Sequence, residues 1–154
     1  MSDDCKIRKA TIADIKHCHA QINLFAKQDL MLPRSLSELY ENVRDFFVCE
    51  DDGKFIGCCA LHIMWEDLAE VKSLAVAESH HGQGIGHRLV TVCVDEARLL
   101  GMPRVFVLTY QRIFFERQGF KVVSKDTLNR KVWAECVRCP HFPDCDEIAM
   151  DILL

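Results

Sequence analysis

Apolar residues near the amino terminus recur at the spacing of one helix face. A short strand is predicted at residues 6–9, and Thr11 follows it as an N-cap residue whose hydroxyl can accept a hydrogen bond from the first helical turn. The apolar positions after Thr11 fall on one stripe, which predicts a first helix packed on the core. These positions are Ile12, Ile15, Cys18, Ile22 and Phe25.

A second helix is predicted after residues 30–34, which break the helical pattern. Ser35 and Glu38 have the spacing of a capping box, in which each side chain accepts from a main-chain N–H of the first turn. The helix is predicted to run from there towards Arg44. Residues 30–34 are therefore expected to form a loop between two helices.

The middle of the chain has the pattern of a β-meander. Apolar runs at residues 46–49 and 55–61 predict two strands. Residues 51–53 join them with an Asp-Gly turn, which is a strong hairpin signal between apolar runs. Residues 69–77 are predicted to pair as the next antiparallel strand.

A long amphipathic helix is predicted from about Gly84 to Leu100, and Gly101 ends it. Its apolar residues form one stripe, as expected of a helix that covers a sheet. This stripe consists of Leu89, Val90, Cys93, Val94, Ala97 and Leu100.

The last third of the chain predicts further strands around one short helix. Residues 105–108 form a nearly continuous apolar run, as in a strand buried on both faces. A short helix is expected at 111–118, and strands at 121–123 and 148–154. Residues 124–145 are polar and contain cysteines, and we interpret them as an insertion before the last strand.

These elements predict one α+β domain over residues 1–154, with a mixed, mostly antiparallel sheet flanked by helices. No repeat, low-complexity tract or linker rich in Pro, Gly and Ser interrupts the sequence. At this length one domain can bury a substantial core.

Composition and charge limit the classes of protein to which the chain can belong. The formal net charge is −4 and the basic residues are scattered, so the dense basic face of a nucleic-acid-binding protein is not expected. No apolar stretch approaches the ~18 residues of a membrane span. The start of the chain lacks the basic and apolar segments of a signal peptide. We therefore expect a cytoplasmic protein that acts on a small molecule, and a homo-oligomer is compatible with the sequence.

Nine cysteines are many for this length, but they do not have the pattern of a disulfide framework. Their number is odd, Cys58 and Cys59 are adjacent, and most are flanked by apolar residues. Most are therefore predicted to be small core side chains.

The last three cysteines form a separate cluster. Cys136, Cys139 and Cys145, together with His141, offer soft ligands of the kind that zinc accepts. Only Pro140 separates Cys139 from His141, which strains simultaneous ligation, and there is no second Cys-x2-Cys pair. A reduced, partly buried segment is the main interpretation. Bound zinc and a redox switch between Cys136 and Cys139 are the alternatives.

The glycine-rich segment at residues 81–86 lies between a predicted strand and the long helix. Glycines let main-chain N–H groups approach a ligand, and a helix N-terminus adds positive potential, so this unit predicts an anion site. His87 and Arg88 in the first turn oppose the helix dipole unless an anion lies there. A Rossmann loop is excluded because no early βαβ unit carries it, and a P-loop because no Gly-Lys-Ser/Thr follows.

The glycine-rich segment, residues 69–76 and residues 114–120 together resemble the core of the GNAT acetyltransferases. This resemblance implies a three-layer fold. The family loop has the pattern Gln/Arg-x-x-Gly-x-Gly/Ala, and this chain departs from it at His81. The resemblance implies acetyl-CoA as the donor. It implies that the pantetheine arm would bind Leu74, Ala75 and Val76. It implies that the pyrophosphate would bind His81, Gly82, Gln83, Gly84, Ile85, Gly86, His87 and Arg88.

A narrower resemblance covers nearly residues 30–150. Residues 32–35, 55–61, 106–110 and 115–120 are similar to the acetyltransferase domain of N-acetylglutamate synthases, and the cysteine segment to their short bacterial form. This implies transfer of an acetyl group to the α-amine of L-glutamate, the first step of arginine biosynthesis.

The resemblance also implies candidates for catalysis. Glu70 matches a strand position where several family members keep a glutamate, usually acting through water, and we expect it to be the general base. The alternative is a glutamate paired with Lys72. A main-chain N–H at Val76 or its neighbour could polarise the thioester carbonyl. Phe115 stands where the family often has an acid tyrosine. Tyr110 is therefore the candidate acid, with packing on pantetheine as its alternative role.

Recognition of the acceptor's carboxylates favours arginine, because a guanidinium forms paired hydrogen bonds with a carboxylate. Arg34 is the first candidate, since its loop overhangs the acceptor site in the resembled fold. Lys72, Ser73 and Thr109 are further candidates. Other cations that could take part are Arg112, Arg130 and Lys131. Two alternatives stay open: a GNAT enzyme for another amine, and a non-catalytic acyl-CoA sensor.

Overall fold

The computed structural model describes residues 5–128 and 146–154. Within these residues the strands are β1 Cys5–Lys9, β2 Phe46–Asp51, β3 Lys54–Trp65, β4 Leu68–Val76, β5 Arg104–Thr109, β6 Lys121–Val122 and β7 Ile148–Leu153. The α-helices are α1 Ile15–Ala26, α2 Leu36–Glu41, α3 Ile85–Leu99 and α4 Arg112–Arg117. Short 3-10 helices span Ile12–Asp14, Val43–Asp45, Glu78–His80 and Lys125–Leu128.

The strands form a mixed sheet in the order β1-β2-β3-β4-β5-β7-β6. Strand β2 pairs antiparallel with β1 and with β3, and β7 pairs antiparallel with β5 and with β6. Strands β4 and β5 are parallel, with Ala69 opposite Val105 and Glu70 opposite Phe106. The predicted mixed, mostly antiparallel sheet with flanking helices is confirmed.

The chain packs as two compact units. The first contains the described residues up to His62 together with Val71–Glu96. The second contains Ile63–Glu70 and the described residues from Ala97 onwards.

The core of the first unit is built on the predicted stripe of α1. Ile15, Cys18 and Ile22 are fully buried. They pack in one cluster with Phe25, Leu39, Phe46, Val48, Cys58, Ala60 and Ala75. The prediction for Ile12 was wrong: this residue is 62% exposed, because Ile12–Asp14 is a 3-10 turn and α1 begins only at Ile15.

The 3-10 turn that precedes α1 is held by a buried carboxylate. Asp14 accepts from the main-chain N–H of Thr11 at 2.7 Å and closes a capping box with it. Both terminal nitrogens of Arg8 donate to Asp14, at 2.7 and 3.0 Å, and one of them also contacts Glu50. These hydrogen bonds with Arg8 lower the pKa of Asp14 from 3.8 to about 2. The ionised form of Asp14 therefore stabilises the folded state.

Replacing Asp14 with asparagine is expected to cost about 2 kcal/mol of unfolding free energy at pH 7, because the lowered pKa is a free-energy difference between the folded and unfolded states. The contribution is complete above the unfolded pKa of 3.8 and is lost as the pH falls towards 2. Urea unfolding of both proteins between pH 7 and pH 3 measures this. The exposed Asp67→Asn variant is the control. A cost that does not shrink with falling pH would contradict this explanation.

Helix α2 is shorter than predicted. The serine half of its capping box is confirmed, because the Ser35 hydroxyl accepts from the main-chain N–H of Glu38 at 3.1 Å. The helix ends at Glu41, and a 3-10 turn at Val43–Asp45 replaces its predicted continuation. The carboxylate of Glu38 accepts from Arg34.

The predicted hairpin is confirmed. Asp52 and Gly53 have φ angles of 51° and 75°. Two consecutive residues in the left-handed region match the twist of the strands that they join, which explains the Asp-Gly pair here.

In helix α3 the predicted stripe is buried at Leu89, Val90, Cys93, Val94 and Ala97. The prediction for Leu100 was wrong, since it is 58% exposed beyond the end of the helix. Gly101 has a φ of 78°, and the N–H of Met102 donates to Ala97 at 2.9 Å. This geometry is the left-handed helix ending for which glycine is preferred.

The second unit is built around β5, whose Val105, Phe106 and Val107 are buried as predicted. Phe106 forms a cluster with Leu68, Leu128 and Ala149.

The described cysteines are all buried and reduced, as predicted for core side chains. Hydrogen bonds with Cys18 and Cys93, together with burial, raise the pKa of Cys58 and Cys59 well above the usual value. Burial raises the pKa of Cys49 to about 11. These thiols are therefore unreactive at neutral pH.

Candidate active site

Strand β4 has a local irregularity at Ser73, whose φ of 58° lies in the left-handed region. Non-glycine residues are strained in this conformation and concentrate at functional sites. Beyond it, β3 approaches β4 closely. A Cβ atom on Gly57 would lie 2.8 Å from the carbonyl oxygen of Ala75. The residue at position 57 must therefore be glycine for the last part of β4 to keep its place.

The loop after β4 reaches α3 through two left-handed glycines, Gly82 with a φ of 78° and Gly84 with a φ of 77°. A Cβ atom on Gly82 would meet nothing within 4 Å. The backbone conformation, and not the space around it, therefore requires glycine at this position.

The start of α3 presents main-chain donors at the end of this loop. The first helical hydrogen bond runs from the N–H of Arg88 to the carbonyl of Gly84 at 3.1 Å. The N–H groups of Ile85 and Gly86 precede that bond and have no acceptor within the helix ladder. Ile85 is only 1% exposed, and its side chain anchors the start of the helix in the core. This arrangement fits a diphosphate.

The side chain of His81 ties the loop back to the strand. Its Nε2 lies 2.6 Å from the carbonyl oxygen of Val76, and its ring stacks on Phe25 at a centroid distance of 6.1 Å. Because a carbonyl oxygen only accepts, Nε2 carries a proton. His81 therefore joins the end of β4, the glycine loop and α1.

The other predicted loop residues differ in how their side chains are placed. The guanidinium of Arg88 donates to the main-chain carbonyl of Cys5 at 3.0 Å, which ties α3 to β1. His87 is exposed and Gln83 is half-buried. Their contact with pyrophosphate stays a prediction.

Arg34 lies in the predicted loop between α1 and α2 and is buried, with 8% of the residue exposed. It donates to the Ser73 hydroxyl and to Glu38, both at 2.9 Å. Its guanidinium lies over the Phe46 ring at 5.5 Å, and Asn23 donates to its main-chain carbonyl at 3.1 Å. Two substrate candidates, Arg34 and Ser73, are therefore in direct contact.

Glu38, Asn23 and Phe46 were not predicted as neighbours of Arg34. The i, i+4 spacing of Arg34 and Glu38 was the available signal, because oppositely charged residues at that spacing often pair. Nothing in the sequence pattern pointed to Asn23 or Phe46.

Glu70 and Lys72 lie on β4. Glu70 is only 3% exposed, an uncommon burial for a carboxylate, and Lys72 is half-buried. Both residues interact with other groups.

Thr109 and Tyr110 close β5. The Thr109 hydroxyl accepts from the N–H of Gln111 at 2.8 Å, and the Tyr110 hydroxyl donates to Asp146 at 2.7 Å. Asp146 is a further partner that the sequence analysis missed. Phe115 is buried in α4, and Arg112 on the same helix pairs with Glu116 at 2.6 Å.

Some predicted residues lie outside the described part of the chain. These are Arg130, Lys131, Cys136, Cys139, His141 and Cys145. Among residues 5–128 and 146–154, no group of three or more His, Cys, Asp or Glu side chains is placed to hold a metal ion. Within the same residues no helix has the length and apolar character that crossing a membrane requires.

The glycine loop lies between β4 and α3 on a mixed sheet that has seven strands within the described residues, and this arrangement agrees with a family match. The acetyltransferase (GNAT) domain model matches residues 42–122, more than half of the chain. The chain belongs to the GNAT acetyltransferase family, and it is therefore an acetyltransferase enzyme.

Individual relatives make the similarity more specific. An uncharacterized N-acetyltransferase of Chlorobaculum tepidum is 40% identical over 149 residues, which cover 97% of this chain and 96% of that protein. The amino-acid acetyltransferase of Mycobacterium tuberculosis is 36% identical over 140 residues, covering 88% of this chain and 80% of that protein.

A solved structure extends the similarity to the coordinates. N-acetylglutamate synthase of Neisseria gonorrhoeae, complexed with coenzyme A and N-acetyl-glutamate, superposes with a TM-score of 0.85 at 30% identity. The alignment covers 100% of this chain and 36% of that chain. The resemblance to N-acetylglutamate synthases is thus confirmed in sequence and in fold.

Proposed function

We propose that this enzyme transfers the acetyl group of acetyl-CoA to the α-amine of L-glutamate and so opens arginine biosynthesis. The observation that carries the proposal is the glycine loop, whose left-handed Gly82 and Gly84 lead directly into the first turn of α3. The relatives complexed with coenzyme A or named for amino-acid acetylation support the donor and the class of acceptor.

The donor is held mainly by the main chain. The pantetheine arm runs along Leu74, Ala75 and Val76, and the pyrophosphate lies against residues 81–88. Main-chain binding explains why histidine is compatible with the first loop position. The His81 ring bonds to Val76 and leaves the N–H groups of the loop to the phosphates.

The chemistry proceeds by direct attack of the amine on the thioester. Glu70 takes the proton of the acceptor amine, directly or through water, and the amine nitrogen bonds to the acetyl carbon. A main-chain N–H near Val76 stabilises the oxyanion. When the C–S bond breaks, the CoA thiolate takes a proton from water or from Tyr110. The Tyr110 hydroxyl donates a hydrogen bond to Asp146.

In this proposal the acceptor's carboxylates are bound by cationic side chains. Arg34 is the principal partner, because a buried guanidinium favours a carboxylate ligand. Lys72, Ser73 and Thr109 supply further contacts. A site with these groups favours an acidic amino acid, and glutamate is the acceptor that we propose.

Alanine at Arg34 is expected to raise the Michaelis constant for L-glutamate by roughly tenfold to hundredfold, the equivalent of one charge-assisted hydrogen bond of about 1.5–3 kcal/mol. The constant for acetyl-CoA is expected to stay within about twofold. Steady-state kinetics with each substrate varied in turn measures both. Alanine at the exposed Arg44 removes the same charge from the same compact unit and serves as the control. Equal losses for glutamate and acetyl-CoA would remove Arg34 from the acceptor site.

A further inference from the structure

The buried guanidinium of Arg34 already holds a carboxylate from its own chain. One oxygen of Glu38, Oε1, lies 2.9 Å from both Nε and Nη2 of Arg34. This edge of the guanidinium is one of those through which arginine binds a carboxylate ligand. A glutamate side chain therefore occupies the group proposed to recognise a glutamate substrate.

The two partners are buried to very different extents. The Arg34 side chain is 7% exposed, whereas the Glu38 side chain is 43% exposed. A buried cation requires a partner at all times, because leaving it unpaired costs several kcal/mol. A carboxylate half in water loses little when it separates from its partner. The pair is thus built so that Glu38 can leave when another carboxylate arrives.

The surroundings fix Arg34 and leave Glu38 as the movable partner. Ser73, Phe46 and Asn23 hold the arginine side chain and its main-chain carbonyl. The main chain of Glu38 is fixed by the Ser35 cap, but among the described residues its side chain is held only at its end, by Arg34. Rotation of the Glu38 side chain therefore frees one edge of a guanidinium that itself stays in place.

The remaining N–H groups of Arg34 allow an exchange without a period of unpaired charge. The three contacts to Glu38 and Ser73 use one N–H on each guanidinium nitrogen. The two terminal nitrogens each carry a second N–H. An incoming carboxylate can bind there before Glu38 departs.

We infer that Glu38 is an internal competitor for the acceptor's carboxylate, so that this residue sets the affinity and selectivity of the acceptor site. The inference rests on the proposed role of Arg34 in binding an acidic amino acid. Glutamine at position 38 removes the competing charge and leaves the net positive charge of Arg34 to the ligand. A carboxylate ligand is then expected to bind more tightly than in the natural protein.

The experiment uses glutarate, a dicarboxylate without an amine, so that binding is measured without acetyl transfer. Calorimetric titration of the full chain with excess CoA present compares the natural protein with the Glu38→Gln variant. The variant is expected to bind glutarate roughly fivefold more tightly, the effect of releasing one partly exposed ion pair. Glu41→Gln, which removes the same charge from the same short helix, is expected to bind as the natural protein does.

A thermal-shift measurement separates competition from a purely structural role. If Glu38 only supported the fold, its variant would melt earlier and glutarate would raise the melting temperature of both proteins equally. Competition predicts a larger rise for Glu38→Gln. Unchanged or weaker glutarate binding in this variant, or no binding to either protein, overturns the inference. Tighter glutarate binding together with no acetylation of L-glutamate would uphold it and refute the proposed function instead.

Discussion

Valine at position 84 is expected to cause a large loss of acetyl-CoA affinity. Gly84 has a φ of 77°, and a β-branched residue cannot hold that conformation without strain. The loop must then change its path, and the N–H groups at the start of α3 no longer converge on a phosphate. Losing two charge-assisted hydrogen bonds of about 1.5–3 kcal/mol each weakens binding by roughly 10²–10⁴-fold. Isothermal titration with acetyl-CoA measures the loss.

The same helix provides a matched control for this substitution. Gly101 lies beyond the other end of α3 with a φ of 78°, and a Cβ atom there would meet nothing within 4 Å. Gly101→Val therefore introduces the same backbone strain away from the loop. We expect both variants to lose similar stability and only Gly84→Val to lose the ligand. Retained affinity in a folded Gly84→Val protein would refute the assignment of the loop.

Glutamine at Glu70 is expected to lower the rate of acetyl transfer by roughly 10²–10⁴-fold at neutral pH, the usual contribution of a positioned base. An α-amino group is mostly protonated at neutral pH, so the base has the largest effect there. At alkaline pH solvent removes that proton, and the deficit of the variant is expected to shrink. The rate constant kcat/KM measured from pH 6 to pH 10 tests this.

Glutamine is a close replacement for this buried residue, because it keeps the size and the hydrogen-bonding end of the side chain. The exposed Glu78 follows the same strand, and Glu78→Gln is expected to leave the pH profile unchanged. If Glu70→Gln lost the same factor at every pH, Glu70 would have a structural role and no part in proton transfer.

The elements could be predicted from the sequence wherever one local rule decided them. The helical spacing of Ile15, Cys18 and Ile22 defined the buried face of α1, and all three are fully buried. The Asp-Gly pair predicted the hairpin, since two left-handed residues match the twist of the strands that they join. The errors lie at helix ends, where the chain of Ile12 forms a 3-10 turn and Leu100 has left the helix. Periodicity alone cannot locate such ends.

The glycine loop could be predicted because a left-handed main-chain conformation favours one residue type, glycine. Gly82 and Gly84 take the left-handed conformations that their positions require. Side-chain partners were less predictable. The ring of His81 bonds to a carbonyl five residues earlier, and the guanidinium of Arg88 reaches β1. Such contacts depend on tertiary packing, which no local spacing reports.

The neighbourhood of Arg34 shows the same limit. The sequence indicated a carboxylate-binding arginine, but the left-handed Ser73 that accepts its hydrogen bond is a strand residue 39 positions away. Nothing in the alternation of β4 signals a left-handed residue, because β-strand propensity describes the extended state. Glu38 was expected to complete a helix cap, yet its carboxylate contacts Arg34.

Acetyl transfer to L-glutamate releases free CoA thiol, and a thiol assay measures this release. The purified protein is given acetyl-CoA with L-glutamate, with other amino acids, with a polyamine and with a peptide N-terminus in parallel, and the products are identified by mass. We expect the highest kcat/KM for L-glutamate, with N-acetylglutamate as the product. Preferential acetylation of another amine would contradict the proposed acceptor, and thiol release with none of them would contradict the proposed reaction.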